Sequence, residues 1–278
     1  MIDRRLARLG AALSFLVSLL ALRPLEARSG SQAPVAVAEA PACSKIWLGR
    51  EAEIEELMRT SEVTKIVDVP IGVTKPKRAF VREGPPFQSM AWKPLRPGLY
   101  SGYWESYKSE IAAWEIDKLV GLGMVPPAVE RRLQSDLGAV ILWVENVKGW
   151  SIKEPARGPD LEAWNRQVSK MKMFDQLIGN IDRNQGNLLY DGEYHLILID
   201  HSRAFTGEKN LNRMAKPTRI DRELWEKMSA LTLEQLQPAL GRLIGKGEIR
   251  AIIERRDRMR RAIEALVAEK GEATVFYP

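Results

Sequence analysis

Between Val63 and Trp92 the chain carries three short apolar-rich runs, Val63–Val69, Arg78–Val81 and Gln88–Trp92, separated by Gly72-Val-Thr74 and Gly84-Pro85-Pro86. Strands joined by short Gly/Pro turns predict an antiparallel sheet. A short helix is expected before them, from Arg50 to Arg59, with ordered structure beginning near Ile46-Trp47. Tyr107 to Val120 then takes helical spacing, with Ala112, Ile116, Leu119 and Val120 on one stripe. Gly121 and Gly123 end that helix, and Pro126-Pro127 prevent its resumption. Ala139–Val144 is expected as a buried strand and Glu145–Asp160 as an irregular connection. Trp164, Val168, Met171, Asp175 and Ile178 define one side of a helix that stops at Gly179. Further helices are predicted at about 221–231, 233–244 and 247–269, and no internal repeat interrupts the series. The pattern implies a two-lobed α+β chain: a small antiparallel-sheet lobe over 44–146 and a mostly helical lobe over 147–278.

Inside the helical half, Leu188-Leu-Tyr190 and Glu193–Ile199 flank Asp191-Gly192, a two-residue hairpin signal. With the turn there, Asn187 pairs near Leu196. The four residues beyond, at ~3.3 Å of rise each, carry Asp200 about 13 Å back toward Asp182. Asp182, Asn187 and Asp200 then gather oxygen atoms at one open end of the hairpin. Mg²⁺ takes such hard ligands, a few from protein and the rest from phosphate and water. An aspartate, an asparagine five positions on and a strand-closing aspartate is the arrangement that holds a nucleotide's metal in kinases. Singly, each residue is an ordinary turn or strand-end former.

Lys93 closes the third predicted strand, and Glu110 lies near the start of the following helix. A lysine there neutralises α/β-phosphates when a carboxylate steadies its ammonium. The Gly72-Val-Thr74 turn offers backbone N–H groups to phosphate but lacks a full glycine-rich pattern. Gly241–Gly247 has neither the spacing nor the Ser/Thr of a Walker loop. Arg255, Arg256, Arg258, Arg260 and Arg261, interleaved with Glu254 and Asp257, are expected to form a solvated helix face. Trp104, Trp114, Trp143 and Trp164 are expected in the core.

Composition adds limits rather than chemistry. Hydrophobic residues make up 45% and charged residues 28% of 278, which suits a sizeable core. The net charge of +6 is shared with a basic N-terminus, and the remainder is too modest to argue for nucleic acid. Arg4, Arg5 and Arg8 precede an uncharged run from Leu9 to Leu22. As a helix that run covers ~21 Å, short of a ~30 Å hydrocarbon core. Residues 1–27 are therefore expected to be a signal peptide, or a membrane anchor through residues 9–22, which would place the protein in an exported or secretory compartment. Residues 28–43 are expected to be a flexible linker. One cysteine, Cys43, excludes an intramolecular disulfide, and two histidines argue against a histidine-based zinc site.

Phe174–Asn187 with Leu198-Ile-Asp-His-Ser-Arg-Ala-Phe205 resembles the atypical kinase group, which includes phosphatidylinositol 3-/4-kinases, HipA-type kinases and secretory-pathway, Golgi casein-kinase type kinases. Ser109–Ala113 and Gly121–Pro127 resemble the helix and following turn of that group, so that the resemblance spans about residues 60–205. It implies a protein kinase-like fold. It also implies Asp182 as catalytic aspartate, Asn187 and Asp200 as metal ligands, Lys93 as phosphate-binding lysine and Glu110 as its partner. Leu142-Trp143-Val144 would be the hinge against which adenine lies. Asn184 stands where the group carries histidine, and Asp200-His-Ser replaces Asp-Phe-Gly. The expected activity is ATP- and Mg²⁺- or Mn²⁺-dependent phosphoryl transfer to a hydroxyl, first of a protein Ser/Thr. Lipid and sugar hydroxyls are the alternatives, and the rivals are a nucleotide-binding pseudokinase and a metal-dependent phosphohydrolase using Asp182 and Asp200.

Overall fold

The structure is a computed structural model describing residues 44–70, 76–151, 153 and 158–278. Gly72, Thr74, Cys43, the leader over 1–27 and the linker over 28–43 lie outside the described residues. Among the described residues no helix is long and apolar enough to cross a membrane.

The first lobe opens with α1 (Glu51–Thr60), which buries Ile54 and Met58 one turn apart. Strands β1 (Val63–Asp68), β2 (Lys77–Val81) and β3 (Ser89–Lys93) follow. A small hairpin, β4 (Gly98–Tyr100) and β5 (Tyr103–Glu105), leads into α2 (Tyr107–Val120). Ser106 caps α2 by accepting from the N–H of Lys108, and Gly121 ends it in the left-handed region at φ 62. Strands β6 (Ala128–Leu133) and β7 (Asp136–Leu142) complete a five-stranded antiparallel sheet of order β1-β2-β3-β7-β6. Helix α2 packs on β6 and β7 and buries Ile111, Ala112 and Ile116 in the core. Burying one such large aliphatic side chain contributes about 1.5–3 kcal/mol.

In the second lobe β8 (Val147–Gly149) precedes α3 (Leu161–Ile178), which is capped by Asp160 and ended by Gly179 at φ 69. A 3₁₀ turn at Gln185–Asn187 enters β9 (Leu188–Asp191), which β10 (Leu196–Leu198) and β8 flank in a three-stranded antiparallel sheet. Helices α4 (Arg222–Ser229), α5 (Leu233–Leu240), α6 (Lys246–Lys270) and α7 (Glu272–Val275) close the chain.

Three sequence expectations are corrected. Leu196 pairs with Tyr190 rather than with Asn187, because Asp191-Gly192 does not form a two-residue turn. The loop is longer: Asp191 Oδ1 accepts from the N–H groups of Glu193 and His195, and Tyr194 sits at φ 64. Arg255 is not on a solvated face but fully buried. Its Nε donates to Leu177 O at 2.9 Å, and its Nη1 donates to Thr206 O at 3.1 Å and Glu208 O at 2.6 Å. Trp104 is half exposed on the β4–β5 hairpin, whereas Trp114 and Trp164 are core.

Candidate active site

Strand β3 and helix α2 bring Lys93 and Glu110 together. Lys93 Nζ lies 2.7 Å from Glu110 Oε1 and 3.0 Å from Asp200 Oδ1, and both Lys93 and Glu110 are buried. Burial opposes charge on Lys93, yet the two carboxylates outweigh it and push the ammonium pKa up. Burial likewise opposes charge on Glu110, but Lys93 and His201 hold its carboxyl far below the usual range. His201 supplies its backbone N–H to Glu110 Oε2 at 3.0 Å. Its Nε2 faces Arg183 Nη2 at 2.9 Å and must accept there, so the ring is neutral.

The loop before β9 is fixed by Arg183, whose role the sequence pattern did not single out. Its Nε and Nη2 meet Asp175 Oδ2 and Oδ1, each at 2.9 Å, a two-pronged contact with α3. Its Nη1 donates to Asn187 O at 3.0 Å and Ile199 O at 2.9 Å. Asn180 extends the brace, donating to Asp175 Oδ1 and accepting from the N–H of Asp182 at 3.1 Å. The only sequence signal for Arg183 was its place beside Asp182.

Asp117 was also missed. It is buried at the far end of α2, and its carboxylate accepts from the N–H groups of Gly123, Met124 and Val125 at 2.8, 2.9 and 2.8 Å. Burial raises its pKa to about 6 against those three bonds. Asp117 thereby shapes the turn that presents Val125 and Pro126 to the cavity wall.

Lys93, Glu110, Asn187 and Asp200 line one cavity of about 470 Å³. Its other walls are largely apolar, from Ala91, Val125, Ile141, Leu142, Leu189 and Leu198. Trp143 and Val144, which follow β7, line it as well. Arg78 covers one side of the Trp143 ring, with Cζ 4.3 Å from its centre. An apolar slot with a few convergent polar groups is the form a cofactor site takes.

Three side chains share one pattern. Asn187 Nδ2 donates to Asp182 O at 3.0 Å, and its Oδ1 takes no hydrogen bond among the described residues. Asp200 Oδ1 receives Lys93 Nζ and the Ser202 hydroxyl at 3.1 Å, while its Oδ2 takes none among those residues. Asp182 Oδ2 receives Arg203 Nη1 at 3.1 Å, and its Oδ1 is likewise without a donor among them. Each group is anchored through one polar atom and leaves one oxygen over. The amide oxygen of Asn187 and the carboxylate oxygen of Asp200, both on the cavity wall, fit Mg²⁺ or Mn²⁺ that draws its other ligands from phosphate and water.

Residues 56–238 match the family described as phosphatidylinositol 3- and 4-kinase. No curated protein matches the chain. Among solved structures the chain is similar to hydra Fam20 with sugar, at TM-score 0.66 and 17% identity over 82% of this chain and 92% of that one. It is also similar to the Golgi casein kinase, at TM-score 0.61 and 13% identity over 81% of this chain and 78% of that one. The same kinase with Mn/ADP bound gives TM-score 0.61 at 12% identity, over 81% of this chain and 78% of that one. At such identities the likeness concerns the fold, which is the two-lobed, kinase-like α+β arrangement expected from the sequence.

Proposed function

The chain belongs to the phosphatidylinositol 3- and 4-kinase family, and from that premise we propose that it is an ATP-dependent, Mg²⁺- or Mn²⁺-requiring phosphotransferase acting on a hydroxyl. The observation that carries this reading is the convergence of Lys93, Glu110, Asn187 and Asp200 on one apolar-walled cavity.

In this reading the adenine lies against Trp143 and Val144, and Lys93, steadied by Glu110, offsets phosphate charge. Asn187 Oδ1 and Asp200 Oδ2 are the oxygens that would hold the metal. A bound Mg²⁺ or Mn²⁺ neutralises charge on the phosphate oxygens. Asp182 Oδ1 orients the acceptor hydroxyl and takes its proton as the new P–O bond forms and the bond to ADP breaks. Catalysis of this kind is positioning and electrostatics, which the braces through Arg183 and Asp175 supply. We take the acceptor to be a protein Ser/Thr, a choice supported by the casein kinase among the similar folds. Residues 1–27 are proposed to direct or anchor the protein outside the cytoplasm, a point that N-terminal sequencing of the mature protein tests.

The test is incubation of the full chain with γ-labelled ATP, Mn²⁺ and dephosphorylated casein. Label in casein that disappears in Asp200→Ala is the expected result. A wild-type protein that transfers no label to casein or to water would overturn the assignment.

A further inference from the structure

Arg203 has no part in the scheme above, yet it touches Asp182. It lies three residues after Asp200, in a segment pinned by Ser106 N–H donating to Ser202 O at 3.0 Å and Phe205 N–H donating to Ile178 O at 2.8 Å. Its guanidinium is braced before it reaches the aspartate. The buried carboxylate of Glu105 presents Oε1 to Nε at 2.8 Å and to Nη2 at 2.7 Å. The Tyr103 ring centre lies 4.4 Å from Cζ. Nη1, the remaining corner of the fork, donates to Asp182 Oδ2 at 3.1 Å.

Most exposed ion pairs are worth ~0–1 kcal/mol and specify little. This one differs because the fork is planar and already fixed by Glu105 and Tyr103 whether or not Asp182 is present. An aspartate's last torsion is otherwise broad. Tying down Oδ2 sets the carboxylate plane and makes Oδ1 the oxygen left for a hydroxyl.

We propose that Arg203 is a positioning residue for phosphoryl transfer, braced by Glu105 and Tyr103 so that Asp182 Oδ1 is aimed at the acceptor. The inference rests on the phosphotransfer reading. It assigns no direct contact between Arg203 and nucleotide. Its effect is therefore confined to turnover.

The test uses the full chain with Mn²⁺ and γ-labelled ATP, with dephosphorylated casein and water as acceptor probes. Arg203→Met is expected to lower kcat ~10²-fold, the scale of a misplaced reacting group, with KM for ATP unchanged within about twofold. Arg203→Lys should recover part of that loss, since an ammonium reaches Asp182 but cannot be held by the same fork. Glu105→Gln should lower kcat ~10-fold through the weakened brace. The double variant Asp182→Asn/Arg203→Met should be no slower than Asp182→Asn alone, because Arg203 acts only through Asp182. If Arg203→Met fails to fold, Arg203→Lys and Glu105→Gln decide the matter by the same split between kcat and KM. Wild-type kcat in these variants overturns the inference, as does a double variant ~10-fold slower than Asp182→Asn. A wild type that transfers to neither probe, indistinguishable from Asp182→Asn, overturns the phosphotransfer reading and this inference with it.

Discussion

The backbone N–H of Ile199 donates to the carbonyl of Asn187 at 3.1 Å. This single bond sets the register at the open end of the hairpin and places Asp200 one residue past Asn187's partner. No long reach back along a strand is needed, because the longer Asp191–His195 loop shifts the pairing by three positions relative to a two-residue turn. Arg183 Nη1 holds both carbonyls of the pair. With Asn187 and Asp200 so placed, Asp200→Ala is expected to abolish metal-dependent ATP binding. In a thermal-shift titration, Mn²⁺ plus ATP should raise the Tm of the wild type and leave that of Asp200→Ala unmoved.

Asp182 is half-buried in the loop before β9, outside the lining of the cavity that Lys93, Asn187 and Asp200 share, and its own carbonyl accepts from Asn187 Nδ2. Asp182→Asn should keep Mn²⁺-ATP affinity within about twofold while kcat falls ~10²–10⁴-fold, the usual contribution of a positioned acid or base. Binding by calorimetry and turnover by label transfer separate the two effects.

Much of this site could be read from residue order. Lys93, Glu110, Asp182, Asn187 and Asp200 stand out as candidates by their places relative to strands and helices that the apolar pattern reveals, and the structure brings all of them but Asp182 to the lining of one cavity. What was hidden depends on long-range partners. Strand β6 escaped notice because Glu130-Arg-Arg132 breaks its alternation, and its turn at Gln134, with φ 55, carries no glycine or asparagine. Arg255 looked solvated because its neighbours along α6 are charged. Only the approach of Leu177, Thr206 and Glu208 from other segments reveals its carbonyl partners. Arg203 meets Glu105 from a segment far away in sequence, and Arg183 and Asp117 bond backbone groups whose approach depends on how the following loop or turn folds, which residue spacing does not encode.

The Lys93–Glu110 pair predicts an acid limit on stability. Glu110 is depressed below its ordinary value of 4.5 in the folded state. The unfolded chain therefore takes up that proton first as pH falls, and the pair's contribution is complete above 4.5 and declines below it. Glu110→Gln leaves the buried ammonium with Asp200 alone and should cost about 3–5 kcal/mol at neutral pH. Urea midpoints measured in acid should show the gap between wild type and variant narrowing once the pH drops below that value.

Arg255 supports the site from behind, joining the end of α3 to the segment after Asp200. Gly179 makes room for it, since a Cβ there would stand 2.9 Å from Arg255 Cζ. Arg255→Met would strand three carbonyls in the interior and remove a cation whose pKa burial lowers to about 10. Loss of the bonds outweighs the relief of desolvation, and we expect a destabilisation of about 2–3 kcal/mol. In a chain of this size that is a Tm lower by roughly 5–10 °C, measurable by calorimetry.

The closest backbone approach near the cavity is at Gly138 in β7. A Cβ at that position would lie 2.5 Å from the carbonyl oxygen of Lys93 and 2.8 Å from Cα of Pro94. Both are main-chain atoms, at the end of β3 and just past it, so neither can rotate aside. Gly138→Ala must push the end of β3 outward and carry Lys93 away from Glu110 and Asp200. Displacing a binding group by ~1 Å costs up to ~10²-fold, and we expect Mn²⁺-ATP affinity to fall at least ~10-fold on this scale. Gly149→Ala provides the control: it is also a strand glycine, but nothing lies within 4 Å of the place its Cβ would take, and ATP affinity there should match wild type. Equal affinities in the two variants would mean that the spacing of β3 and β7 does not set the position of Lys93.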